Sequence, residues 1–178
     1  MVTLIVGGAR SGKSSFAESM YKDKSDVVYI ATARAEDDEM MQRVNHHRSL
    51  RPSFWRTFEG TYNIEDAVGS EKYYLLDCIT VLTSNIMFDM SKDAQVIDSI
   101  LQNSIEERVI STIEKLVDIV KKLDLELIMV TNEVGCSIVP ENHIARVYRD
   151  IVGRVNQRVA EMSEVAYVVF CGIPLKLK

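Results

Sequence analysis

The densest chemistry in the sequence is the run Gly7-Gly8-Ala9-Arg10-Ser11-Gly12-Lys13-Ser14, which fits the spacing GxxxxGK[ST]. Glycines in such a run let the backbone curl so that consecutive N–H groups converge on phosphate oxygens. A lysine at the seventh place reaches the β- and γ-phosphates of a nucleoside triphosphate. The serine after it offers a hard oxygen to Mg2+. The run therefore predicts nucleotide phosphate binding, with Lys13 catalytic and Ser14 a metal ligand. Such chemistry wants a second acidic partner at the end of a neighbouring strand. Asp77, which closes Tyr73-Tyr74-Leu75-Leu76-Asp77, fills that place. It is read as a Mg2+ ligand, directly or through water. The spacing leaves open a strand-end cap, or contact with a nucleotide hydroxyl or base.

A second concentration of chemistry lies at 43–52. His46 and His47 are adjacent, with Arg43, Arg48 and Arg51 around them. Neighbouring residues on a helix point about 100° apart, so the pair chelates one metal poorly. The arginines favour phosphate over a cation. A neutral imidazole attacks phosphorus without first losing a proton, and nearby cations lower its pKa. A phosphoryl-accepting histidine and a solvated polar helix face both fit this pattern. Spacing does not choose between His46 and His47.

These residues need strands and helices to position them. Val2–Val6, Val27–Ala31, Tyr73–Leu76, Leu125–Val130 and Val165–Cys171 are short apolar runs bounded by turn or polar residues, and predict buried strands. Leu175–Lys178 adds a short edge strand. Ser14–Lys22 predicts a helix, as does Glu36–Leu50, acidic at its start and basic at its end. Thr80–Met90 is a further helical candidate. Apolar residues at steps of three or four predict helices over Val96–Leu123 and Ile144–Met162. Strands alternating with helices imply right-handed βαβ units and a mostly parallel sheet. Ligands of such sheets bind at the carboxyl ends of the strands. Thr131, Asn132 and Glu133 also fall at such an end. They are read either as substrate or nucleotide contacts, or as a strand-to-helix connection with Asn142 as the helix cap. Trp55 with Phe54 reads as core or as a face for a flat ligand. His143 reads as a helix-start residue without chemistry.

The 178 residues are read as one catalytic domain spanning 1–178. Hydrophobic residues make up 47% and charged residues 26%, which excludes disordered, collagenous and membrane-spanning classes. A formal net charge of -5 argues against a general nucleic-acid surface. Three scattered cysteines without CxxC spacing argue against zinc and disulfides, and predict buried free thiols. No apolar run reaches membrane-span length, and the N-terminal run is not read as a signal peptide. The expectation is a cytoplasmic protein.

Taken together, GGARSGKS at 7–14, YIATA at 29–33, DDEM at 37–40, RVNHHRSLRPSFWRTFE at 43–59, LLDCIT at 75–80, TNEVGCSIVPEN at 131–142 and RDIVGRVNQRVA at 149–160 resemble the bifunctional adenosylcobinamide kinase / adenosylcobinamide-phosphate guanylyltransferase family. The resemblance covers nearly the whole chain. It implies an α/β, P-loop (RecA-like) three-layer fold with a mostly parallel sheet flanked by helices. Arg43, His47, Arg48, Arg51 and Pro52 match the family's histidine pattern, which gives His47 the nucleophile role. The resemblance further implies nucleotide contacts from residues 7–14, from Thr32, Ala33 and Arg34, from Arg48, Ser49, Leu50 and Arg51, and from Glu59 and Asp77. At Asp77 members of the family often carry Glu, one methylene longer. The implied ligands are GTP, ATP and Mg2+. The implied partner is a corrinoid substrate, adenosylcobinamide or its phosphate, and the implied assembly is a homo-oligomer, a trimer. The rival readings are a simple P-loop kinase and a GTP-binding module without group transfer.

Overall fold

The computed structural model describes residues 1–34, 51–92, 94 and 96–178. The sequence-predicted helix over Glu36–Leu50 lies outside the described residues. The strands are β1 (Val2–Gly7), β2 (Val27–Ala31), β3 (Arg56–Glu59), β4 (Tyr73–Asp77), β5 (Glu126–Asn132), β6 (Val165–Phe170) and β7 (Ile173–Lys176). They form one seven-stranded sheet in the order β3-β2-β4-β5-β1-β6-β7. Neighbours from β3 through β6 pair in parallel, and β7 closes the β6 edge antiparallel. The helices among the described residues are α1 (Lys13–Met20), α2 (Ile79–Ser91), α3 (Ser99–Lys122) and α4 (His143–Met162).

Both faces of the sheet are buried, which is why the central strands read as unbroken apolar runs. Leu4, Val28, Ile30, Tyr74, Leu76, Leu127 and Met129 point to one side, against α2, α3 and α4. Ile5, Tyr29, Leu75, Ile128, Val130 and Val169 point to the other, against Ala17 of α1 and Trp55. The alternation follows from the two-residue period of a strand. The sequence choice on Trp55 resolves to core: it is buried, and its indole N–H donates to Lys24 O at 3.1 Å. Phe54 beside it is exposed.

α3 begins after Asp98, whose Oδ1 accepts from Leu101 N at 2.8 Å, and ends on Lys121 and Lys122. An anionic cap at the start and cations at the end both suit the helix dipole. Its stripe Ile105, Val109, Ile113, Leu116 and Val120 is buried, as the spacing predicts. Asn142 caps α4 in the same way, accepting from Ala145 N at 3.0 Å. His143 is the first residue of α4, and its Nε2 accepts from Ile97 N at 3.3 Å.

Two expectations need correction. β3 is absent from the sequence reading, because Arg56-Thr57-Phe58-Glu59 is an edge strand with three of its four residues exposed. The cysteines are not all buried: Cys78 is, whereas Cys136 and Cys171 are exposed. Both lie in loops, where no core claims the thiol. No described helix is long and apolar enough to cross a membrane.

Candidate nucleotide site

The strands end in step. Gly7 pairs with Asn132, Ala31 with Glu59, and Ala31 with Asp77. The glycine-rich loop, the acidic strand end and the Thr32–Arg34 segment therefore leave the sheet at one edge. One strand, β5, separates the loop strand β1 from the acidic strand β4.

The loop joins β1 to α1 and is shaped by its small residues. A Cβ on Gly7 would stand 2.4 Å from Ser11 Oγ and 2.9 Å from Val169 O, so only glycine fits there. Gly12 has φ 92, in the left-handed region that glycine alone enters without penalty. Ser11 N donates to Gly8 O at 3.2 Å, and Gly172 N donates to Ser11 O at 2.8 Å, which ties the loop to the turn after β6. Ser11 thus builds the loop with its backbone, while its hydroxyl is buried without a hydrogen-bond partner. Ala9 and Arg10 are exposed at the loop's tip, Arg10 with φ 57. A methyl on Gly8 would meet no atom within 4 Å, so the outer side of that residue is open. Lys13 Nζ donates across the loop to Gly8 O at 3.2 Å. Ser14 follows in the first turn of α1, which carries no acidic residue. The N-terminus of α1, with no acidic residue in its first turn and no side-chain cap, has the polarity that favours an anion.

A second recess lies at the ends of β2 and β3. It measures about 390 Å³ and is lined by Thr32, Ala33, Arg34, Glu59, Gly60, Thr61 and Tyr62. The sequence points to four of these. It does not point to Gly60, Thr61 and Tyr62, because their place depends on the unread strand β3. Arg34 is fixed as a fork on Asp89 of α2, at 2.8 and 2.7 Å, and its Nε donates to Thr61 Oγ1 at 3.1 Å. The guanidinium hydrogen bond holds the Asp89 carboxyl below its ordinary range. Thr32 faces the recess with a hydroxyl already used: it donates to Cys78 O and accepts from Cys78 N, both at 2.9 Å. Cys78 is sealed beneath, and burial pushes its thiol up to about 11. It is therefore an inert core thiol.

Asp77 ends β4, half-buried, and Tyr29 Oη donates to its Oδ2 at 2.8 Å. Arg51 does not line the recess. Its guanidinium lies over the Tyr29 ring, 3.2 Å from the centroid, with Glu18 Oε1 of α1 3.7 Å from its Nε. Burial raises the Glu18 pKa, an effect the Arg51 charge partly offsets. His46, His47, Arg43, Arg48, Ser49 and Leu50 lie outside the described residues.

Of the second strand-end motif, Thr131 is fully buried and bonded to Asn156 Oδ1 at 2.7 Å, so it serves the core and not a ligand. Asn132 Nδ2 donates to Thr80 Oγ1 at 2.6 Å. Glu133 is exposed and turns back onto Gly135 N at 2.6 Å.

The fold is shared with P-loop ATPases. An ATPase of a bacterial type III secretion system superimposes with a TM-score of 0.57 at 12% identity, covering 94% of this chain and 50% of that one. A KaiC-like protein of Pyrococcus horikoshii gives 0.50 at 12% identity, covering 94% and 71%. At that identity the likeness is one of fold alone, and the fold is the RecA-like one expected from the sequence. Sequence relatives say more. The bifunctional adenosylcobalamin biosynthesis protein CobU of Escherichia coli K12 is 39% identical over 182 residues, the whole of both chains. The bifunctional adenosylcobalamin biosynthesis protein CobP of Pseudomonas aeruginosa is 36% identical over 183 residues, 100% of this chain and 98% of the relative. The model of one family matches residues 3–177. This P-loop chain belongs to that family, cobinamide kinase / cobinamide phosphate guanyltransferase.

Proposed function

We propose that the chain, acting as one catalytic domain, phosphorylates the aminopropanol hydroxyl of adenosylcobinamide with ATP or GTP. It then moves GMP from GTP onto that phosphate through a guanylyl-histidine at His47, giving adenosylcobinamide-GDP for nucleotide-loop assembly of cobalamin. The observation that carries this reading is the alignment of the Lys13 loop, Asp77 and the Arg34–Glu59 recess along one sheet edge, in a chain that matches the family from 3 to 177.

In the kinase stage, loop N–H groups and Lys13 hold the β- and γ-phosphates and offset the charge that develops on transfer. Among the described residues no three His, Cys, Asp or Glu side chains cluster as a protein-only metal site. Ser14 and Asp77 supply a hydroxyl and a carboxylate, hard donors that suit a Mg2+ ion held jointly with nucleotide phosphates. Mg2+ bound there supplies neutralisation of the phosphate oxygens. The recess of Thr32, Ala33, Arg34 and Glu59 takes the nucleoside end of GTP. In the transferase stage a ring nitrogen of His47 attacks the α-phosphorus. The N–P bond forms, the bond to the β-phosphate breaks and pyrophosphate leaves. A phosphate oxygen of the corrinoid then displaces the imidazole. Arg48, Ser49, Leu50 and Arg51 are assigned to this segment's nucleotide contacts. The trimeric assembly is carried by the family resemblance, and exposed Ile173 and Leu175 on β7, with Leu177 just after it, are apolar surface that a second copy would cover.

The test is product analysis of His47→Ala with adenosylcobinamide, GTP and Mg2+. The expected outcome is accumulation of the phosphorylated corrinoid with no GDP-corrinoid. Continued formation of the GDP-corrinoid would sink the reading.

A further inference from the structure

Tyr29 is a buried strand residue whose ring the core accounts for and whose hydroxyl it does not. On β2 it pairs with Leu75 of β4, and Asp77 follows two places on, so the two side chains share a sheet face as diagonal neighbours. A diagonal partner lies about 7–8 Å away between backbones, a gap a tyrosine ring spans. Tyr29 Oη closes it, donating to Asp77 Oδ2 at 2.8 Å. The ring is held from its other side by the Arg51 guanidinium at 3.2 Å, itself beside Glu18 of the loop helix. A phenol facing a carboxylate oxygen is the donor of the pair, so the bond fixes Tyr29 as the partner of Asp77 Oδ2.

We propose that Tyr29 is a positioning residue of the phosphate-transfer site: its hydroxyl engages one Asp77 oxygen, fixes the carboxylate's rotation and leaves Oδ1 as the oxygen for the Mg2+–nucleotide complex. This rests on Asp77 acting toward Mg2+ as set out above. Partners of a metal-side carboxylate matter because a ligand free to rotate must be ordered at each binding event.

The test uses the full chain and the probe N-methylanthraniloyl-GTP, titrated with EDTA and with increasing Mg2+, for wild type, Y29F, D77N and the double variant. Without Mg2+, Y29F binds the probe as wild type does, within about twofold, because its ring and packing remain. Its Mg2+ requirement for half-maximal tight binding rises about tenfold, the usual cost of losing an outer-shell partner. In the D77N background Y29F adds nothing further, the signature of a residue that acts through Asp77. Three results overturn the proposal while leaving Asp77 in place: an unchanged Mg2+ requirement in Y29F, an equal loss with and without Mg2+, or a full additional loss on top of D77N. A Y29F chain that fails to fold overturns it too, since the hydroxyl would then be structural. A D77N chain with the wild-type Mg2+ requirement instead sinks the Asp77 reading itself.

Discussion

Lys13 opens the helix that follows β1 and Thr131 lies near the end of the adjacent parallel strand β5, yet their side chains do opposite jobs. Lys13 projects over the loop and makes a single bond, to Gly8 O at 3.2 Å. A phosphate can take that bond over without disturbing the core. Lys13→Ala should therefore lower the kinase kcat/KM at least about a hundredfold, the scale for removing a preorganised charge from a transition state. The thermal midpoint should stay at the wild-type value. A turnover near wild type, or a lowered midpoint, would contradict the assignment. Thr131 is fully buried, with its hydroxyl on Asn156 Oδ1 at 2.7 Å. Thr131→Val keeps the shape and strips the donor, leaving a buried acceptor unpaired at a cost of about 1–2 kcal/mol. Denaturant unfolding should register that loss, while the KM for nucleotide holds. A raised KM at unchanged stability would return Thr131 to the ligand-contact role that its strand-end place suggests.

The loop and its strands are legible to different degrees. Two glycines side by side in the loop make the element-scale prediction. A methyl on Gly7 meets Val169 O at 2.9 Å, whereas one on Gly8 meets nothing within 4 Å. Gly7→Ala should thus cost stability, about 1–3 kcal/mol for overpacking against backbone. Gly8→Ala should keep the melting temperature and weaken nucleotide binding, because its methyl occupies the open side of the loop. Equal melting temperatures for the two variants would contradict the account. The loop is readable from sequence because its chemistry is local: eight consecutive residues carry it. The buried strands and the long helices are readable because burial on both faces, or on one stripe, imposes a period. β3 is not, since an edge strand with exposed Arg56, Thr57 and Glu59 imposes none. With β3 go Gly60, Thr61 and Tyr62 of the recess. The Tyr29–Asp77 bond is invisible for another reason: it depends on register between strands 48 residues apart, and a tyrosine in an apolar run reads as core. Arg51 is expected at the nucleotide on the family pattern, and the structure sets it against Tyr29 and Glu18.

At the scale of the molecule, one mostly parallel sheet gathers residues from positions 7–14, 32–34, 59 and 77 to one edge. On the proposed function, that edge is where a chain of 178 residues runs its two phosphorus transfers. The first needs charge and positioning, a role the proposed function gives to Lys13 and the loop. The second needs a nucleophile, which the proposed function assigns to His47 on the family pattern. The central claim is therefore a covalent one, and it has a direct measurement: peptide mapping by mass spectrometry after brief exposure of the full chain to GTP and Mg2+. The account predicts a single GMP adduct, on His47, labile in acid and stable in alkali as a phosphoramidate is. His46→Ala should retain that adduct. An adduct on His46 or Lys13, or no adduct under conditions where GDP-corrinoid forms, would contradict it.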